Sequence, residues 1–147
     1  MRFWDASAVS PLCFDEGRSS EVDRLLREDR GMTVWWATPV ECASAIARRR
    51  REGKLTAADE DAAFEVLDRL SAAWYEVPAG HLVRSHAFRL LRVHPIRAAD
   101  ALQLAAAVVF AGSPVTGPAP TAEIVTLDDR LAEAARLEGL AVLPGAE

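Results

Sequence analysis

Cysteine is scarce in this 147-residue chain: Cys13 and Cys42 are the only two, and their spacing matches no metal-ligand pattern. They read as small apolar fillers in a reducing cytoplasm, not as a disulfide framework. No run approaches the ~18 consecutive apolar residues of a membrane span. Asp5 falls where a secretory leader needs its apolar stretch, so neither a targeting segment nor a membrane location is expected. No H-x-x-x-H or C-x-x-C pair exists for zinc, no G-x-S-x-G elbow for a serine nucleophile, and no G-x-G-x-x-G or P-loop for a nucleotide. His81, His86 and His94 are the only histidines. His81 and His86 lie five apart, off a common helical face, and His94 precedes Pro95, so structural or surface roles are expected and a metal-free His acid–base pair is not. Lysine is nearly absent: Lys54 is the only one among 17 basic residues.

Half of the residues are apolar, which argues against disorder. The length suits one domain, expected over residues 1–147, and a chain of this size buries roughly 68–70% of its unfolded surface without staples. The net charge of −5 is a poor footprint for nucleic acid. If four carboxylates served a cation, however, only −1 would remain for the rest. The arginine bias favours planar, bidentate contacts to phosphate or carboxylate, though a GC-rich genome produces the same bias.

Strand-like and helix-like segments alternate. Residues 1–4 form a short apolar strand ending at Asp5, and Pro11 and Gly17 punctuate the stretch after it. Residues 21–30 carry Val22, Leu25 and Leu26 at helical spacing, and residues 33–37 (TVWWA) read as a strand with one of Trp35 and Trp36 in the core. Thr38, Pro39 and Glu41 have the spacing of a capping box opening a helix to Arg51. Thr56 starts another helix, residues 74–77 a third strand, and residues 82–93 and 98–111 two further helices. The last of these is almost wholly apolar. A Pro/Gly-rich loop over 112–122, a strand at 124–126, a helix over 129–138 and a strand at 140–143 complete the pattern. Such alternation predicts an α/β fold, a three-layer α/β/α sandwich around a mostly parallel sheet of about five strands.

Right-handed crossovers place every strand-to-helix junction on one side of such a sheet, where ligands bind. Asp5, Glu41, Asp100 and Asp128 all fall at those junctions. Each has a local explanation: Asp5 and Asp128 (or Asp129) could cap helices, Glu41 could complete the box with Thr38, and Asp100 with Gln103 could form a thin polar stripe. Four carboxylates converging on one rim have a joint explanation as well. Like charges share a site only when a cation compensates them, and oxygen-only ligands suit Mg²⁺ or Mn²⁺.

Four segments carry a resemblance: D-A-S at Asp5–Ser7, T-P-V-E-C-A-S-A at Thr38–Ala45, H-P-I-R-A-A-D-A-L-Q-L-A-A-A at His94–Ala107, and I-V-T-L-D-D-R-L-A-E-A-A at Ile124–Ala135. Together, in this order, they resemble the PIN-domain ribonucleases, above all the VapC-type toxins of toxin–antitoxin pairs. The resemblance covers essentially the whole chain. It implies a PIN-like fold and an endoribonuclease, the toxin of a type II pair, using Mg²⁺ or Mn²⁺; attack by a metal-activated water is expected to leave a 5′-phosphate and a 3′-hydroxyl. Asp5, Glu41, Asp100 and Asp128 would be the catalytic, metal-binding acids, with Ser7 and Thr126 as polar neighbours. It also implies an RNA substrate, a cognate antitoxin and a homodimer. Two features depart from the family: Gln103 stands where relatives often have His, and the long 112–122 loop leaves Asp128 or Asp129 as the fourth acid, the T-x-D match favouring Asp128. Arg48, Arg49 and Arg97 are candidate RNA contacts, with a solvated helix end the alternative for the first two. A non-catalytic binding module and a phospho-accepting α/β regulator remain rival readings.

Overall fold

The computed structural model describes residues 1–15, 17–112 and 122–145. Its elements run β1 (Arg2–Trp4), α1 (Ala6–Cys13), α2 (Ser19–Glu28), β2 (Met32–Trp35), α3 (Thr38–Arg51), α4 (Ala57–Ser71), β3 (Tyr75–Val77), α5 (His81–Val93), α6 (Ala98–Ala111), β4 (Glu123–Val125), α7 (Asp129–Leu137) and β5 (Ala141–Leu143). All four strand pairings are parallel, in the order β3-β2-β1-β4-β5. The expected three-layer α/β/α architecture with a five-stranded parallel sheet is therefore present. Between Gly112 and Ala122 the expected loop lies outside the described residues.

Strand alternation divides the core in two. Phe3, Trp35, Val77 and Ile124 face α5, α6 and α7, where they meet Leu90, Leu104, Phe110, Leu131 and Ala135. Trp4, Val34 and Val125 face the other way, against Val9, Val22, Cys42, Ile46 and Leu67 of α1 to α4. Both cysteines are buried there as free thiols. Of the two neighbouring tryptophans, Trp35 ends β2 in the core and Trp36, just past the strand, is 55% exposed.

Three local expectations change. Residues 6–13 form a helix, α1, although Pro11 looked like punctuation; the ring sits in the second turn of a short helix and is itself buried. Ala37, not Thr38, occupies the N-cap of α3, and no side chain caps it. The capping box of Thr38 and Glu41 is therefore not formed, which frees both side chains for other partners. The reciprocal box forms instead at α4, between Thr56 and Asp59.

The α5–α6 turn is tied to the end of α7 by one carboxylate. Arg89 donates to both oxygens of Glu138, at 3.0 and 2.5 Å, and His94 Nε2 lies 2.7 Å from Glu138 Oε1. His94 thus has the structural role expected of it. These bonds, Arg89 foremost, hold the Glu138 carboxyl down at about 2. A depressed pKa stabilises the fold above the ordinary glutamate range and ceases to do so as pH falls toward 2. Arg89 is half exposed, so solvent screening reduces the worth of the bridge to about 1 kcal/mol. Urea unfolding of Glu138→Gln should show a deficit of that size at pH 7 that closes by pH 2. An equal deficit at both pH values would contradict the assignment.

Candidate functional site

In the strand order, the chain runs outward from β1 through β2 to β3 and then returns to the other side of β1 as β4. The crevice between the carboxyl ends of β1 and β4 is thus the topological switch point, where ligands of open parallel sheets bind. Asp5 ends β1 there. Its backbone is extended, and its Oδ2 accepts from the Ser7 N–H at 3.1 Å, so it caps α1. The same oxygen accepts from Ser7 Oγ at 2.5 Å and from Thr126 Oγ1 at 3.0 Å. Each hydroxyl in turn accepts a backbone N–H from the connection after β4: Leu127 to Ser7 Oγ at 2.9 Å and Asp128 to Thr126 Oγ1 at 3.1 Å. Two hydroxyls thereby join loops about 120 residues apart and aim both of their protons at one carboxylate. Ser7 and Thr126 are thus both hydrogen-bonded to Asp5.

Asp5 is 4% exposed. Burial raises its pKa, the bonds from Ser7 and Thr126 oppose that rise, and the nearby charge of Asp128 adds to it. Asp128 is the N-cap of α7, its Oδ1 accepting from Leu131 N–H at 2.9 Å. Asp129, next in the chain, is exposed and lines a separate groove with Arg18, Glu133 and Arg136. Of the two, the geometry puts Asp128 beside Asp5.

Glu41 projects from the first turn of α3 and Asp100 from the first turn of α6. Burial, then the charge of Asp5, and also that of Asp100, push Glu41 up to about 7, against the hydrogen bond that Gln103 donates. Asp100 Oδ2 accepts from the Arg97 backbone N–H at 3.2 Å, and the Arg97 side chain is exposed at the same helix start. The polar-stripe reading of Asp100 and Gln103 does not hold for Gln103. It is 1% exposed, and its Nε2 donates to Glu41 Oε1 at 3.1 Å and to Thr38 Oγ1 at 3.2 Å. Its Oε1 is buried with no partner among the described residues.

Charge neighbours therefore run in sequence from Asp128 to Asp5 to Glu41 to Asp100. Among the described residues, no three His, Cys, Asp or Glu side chains converge tightly enough to hold a metal ion by themselves. The donor chemistry nonetheless fits a hard cation: all the donors are oxygens, and burial and mutual repulsion raise the proton affinity of the two central acids. At most two of these carboxylates could reach any one ion, leaving other positions to water, the mode Mg²⁺ favours.

Arg48 and Arg49, from the basic end of α3, line a groove of about 310 Å³ between α1 and α3, together with Ser7 and Glu41. Arg50 turns instead toward Glu60 of α4, at 3.6 Å.

No protein-family model matches the chain, and no curated protein matches it in sequence. Several solved structures match the chain in fold, PAE2754 and FitAcB among them. PAE2754 from Pyrobaculum aerophilum superposes with a TM-score of 0.62 at 18% identity, over 97% of this chain and 88% of that one. FitAcB from Neisseria gonorrhoeae superposes with a TM-score of 0.66 at 16% identity, over 97% and 96% of the respective chains. The fold is PIN-like. At such identities these likenesses establish architecture alone.

The raised pKa of Glu41 makes a signed prediction. The folded state holds that proton to about pH 7 while the unfolded chain releases it near 4.5, so metal-free stability falls as pH rises across this interval. Glu41 is partly exposed, and screening limits the effect to about 1–2 kcal/mol. Glu41→Gln should be more stable than the native chain at pH 8 and indistinguishable from it at pH 4, by thermal melts in EDTA. Parallel stability curves would contradict the environment described.

Proposed function

We propose that this protein is a divalent-metal-dependent endoribonuclease, the toxin of a type II toxin–antitoxin pair, with Asp5, Glu41, Asp100 and Asp128 as its acidic centre. The observation that carries the reading is the row of neighbouring acids at the β1/β4 switch point, anchored on a buried aspartate. Mg²⁺ or Mn²⁺ bound there would stabilise charge on phosphate oxygens and acidify a water. The chain's own part is positional. Ser7 and Thr126 engage Asp5 Oδ2, and among the described residues Oδ1 accepts no hydrogen bond. Gln103 holds Glu41 Oε1 through its amide, and the Arg97 backbone N–H holds Asp100 Oδ2. Glu41, beside Asp5 and held by the Gln103 amide, suits the role of binding the cation through water or orienting the attacking water.

A phospho-accepting regulator usually wants a basic residue at the end of a late strand, and neither β4 nor β5 ends on one. Lys54, the only lysine, sits in the α3–α4 connection paired with Glu52 at 2.9 Å, which favours the nuclease. The resemblance of the four motifs supports a cognate antitoxin as partner. Self-association is part of the same proposal; Trp36 and Val40, 55% and 67% exposed beside the β2–α3 junction, support a homodimer.

Purified protein should cleave a total-RNA pool in Mn²⁺ or Mg²⁺, stop in EDTA, and leave 5′-phosphate ends. Asp5→Asn and Asp100→Asn should each lower the rate about 100-fold or more while circular dichroism stays native. Undiminished cleavage by both variants would overturn the proposal.

A further inference from the structure

Gln103 carries the only side-chain amide in the chain: the sequence has no asparagine and no second glutamine. That one amide is buried where α6 meets α3, its Nε2 donating to Thr38 Oγ1 at 3.2 Å and to Glu41 Oε1 at 3.1 Å. Thr38 is itself fully buried, so one end of the tie is fixed in the interior and the other holds an acid. Reversing the amide would turn Oε1 against the Glu41 carboxylate, acceptor against acceptor. The orientation present uses both donors and leaves Oε1 without a partner among the described residues. Gln103 follows Asp100 by three residues and shares its side of α6. The helix that brings Asp100 to the rim thereby also holds Glu41 of α3.

The donors at the rim share one property. Among the described residues, those serving the four acids are uncharged: the Ser7 hydroxyl and N–H and the Thr126 hydroxyl for Asp5, the Gln103 amide for Glu41, and backbone N–H groups for Asp100 and Asp128. Acids elsewhere are held by guanidinium groups, Glu138 by Arg89 and Glu123 by Arg2. An uncharged donor orients a carboxylate without cancelling its charge, whereas a guanidinium does both.

We propose that Gln103 is a positioning residue of the acid centre, an uncharged tie that fixes the Glu41 carboxylate against α6 and leaves its charge available to a divalent cation. The role rests on the nuclease reading and deepens it, because it makes cation affinity depend on the identity of a residue that is not itself a ligand. Methionine at this position would fill the space and leave Glu41 untied. Lysine would reach the same carboxylate and supply the compensating charge from within.

The native chain gives the first test. In a ¹⁵N-labelled sample the one side-chain amide must appear as a single geminal N–H pair, which should exchange slowly with water and shift on addition of Mg²⁺. A pair that exchanges as fast as free glutamine, or that ignores bound Mg²⁺, would overturn the tie. Titration calorimetry with Mn²⁺ at pH 8 gives the second. Gln103→Met should keep a native circular dichroism spectrum, weaken Mn²⁺ binding about 10-fold or more, and lower kcat for RNA cleavage in saturating Mn²⁺ by a similar factor with KM for RNA unchanged. Gln103→Lys should lose saturable Mn²⁺ binding altogether, and binding as tight as that of Gln103→Met would overturn the part assigned to charge. A native chain that binds no Mn²⁺ would end the nuclease reading and this role together. Native Mn²⁺ affinity and kcat in Gln103→Met, with Mn²⁺ binding intact in the native chain, would overturn the role of Gln103 alone.

Discussion

A carboxylate buried at the point where a parallel sheet reverses its winding is the constraint on which the rest of this molecule turns. Asp5 cannot be moved away from that point, because it ends the central strand and caps the helix after it. It is kept tolerable by two hydroxyls, each accepting a backbone N–H from the connection after β4 and donating a hydrogen bond to the same carboxylate oxygen. Hydrogen bonds to a charged group contribute about 1.5–3 kcal/mol each. Burial still outweighs them, since the net effect is a raised pKa. Adding Asp128 on one side and Glu41 on the other leaves a region whose charge is under-compensated by the protein. Stability is thus given up locally, and positive charge from outside would recover it.

The same side chains serve local structure and the common rim, and neither role excludes the other. Asp5 and Asp128 are helix caps, and Asp100 accepts a backbone N–H in the first turn of α6. Helix starts follow strand ends in this topology, so a capping carboxylate is delivered to the switch-point edge by the same geometry that requires the cap. Glu41 is the informative exception. Its expected capping partner Thr38 is fully buried against Gln103, and among the described residues Glu41 has the amide of Gln103 and the field of its fellow acids.

Most of the architecture was legible in the sequence, because strands such as TVWWA and the apolar helix ending in VVFA differ sharply in period and β-branching. The features that escaped depended on tertiary context. The α1 helix was hidden by Pro11, which a short, buried helix accommodates in its second turn. Thr38, expected as the N-cap of α3, instead lies inside the helix and accepts from a glutamine 65 residues away. Gln103 looked like half of a polar stripe, and its isolation within the almost wholly apolar stretch 98–111 was the available signal that it is instead a buried tie between α6 and α3. The arginine run carried no mark in sequence to show that it divides between the groove and α4. A shared edge for the four acids was the expectation from topology. Their arrangement in a row of neighbours was not, since it depends on helix positions relative to the sheet.

If this row of acids is a place prepared for a divalent cation, isothermal titration of the metal-free chain with Mn²⁺ at pH 8 tests it most directly. Saturable binding is expected, abolished in Asp5→Asn and weakening as pH falls below 7, where protons compete for Glu41. No heat beyond dilution, or identical binding by Asp5→Asn, would contradict it.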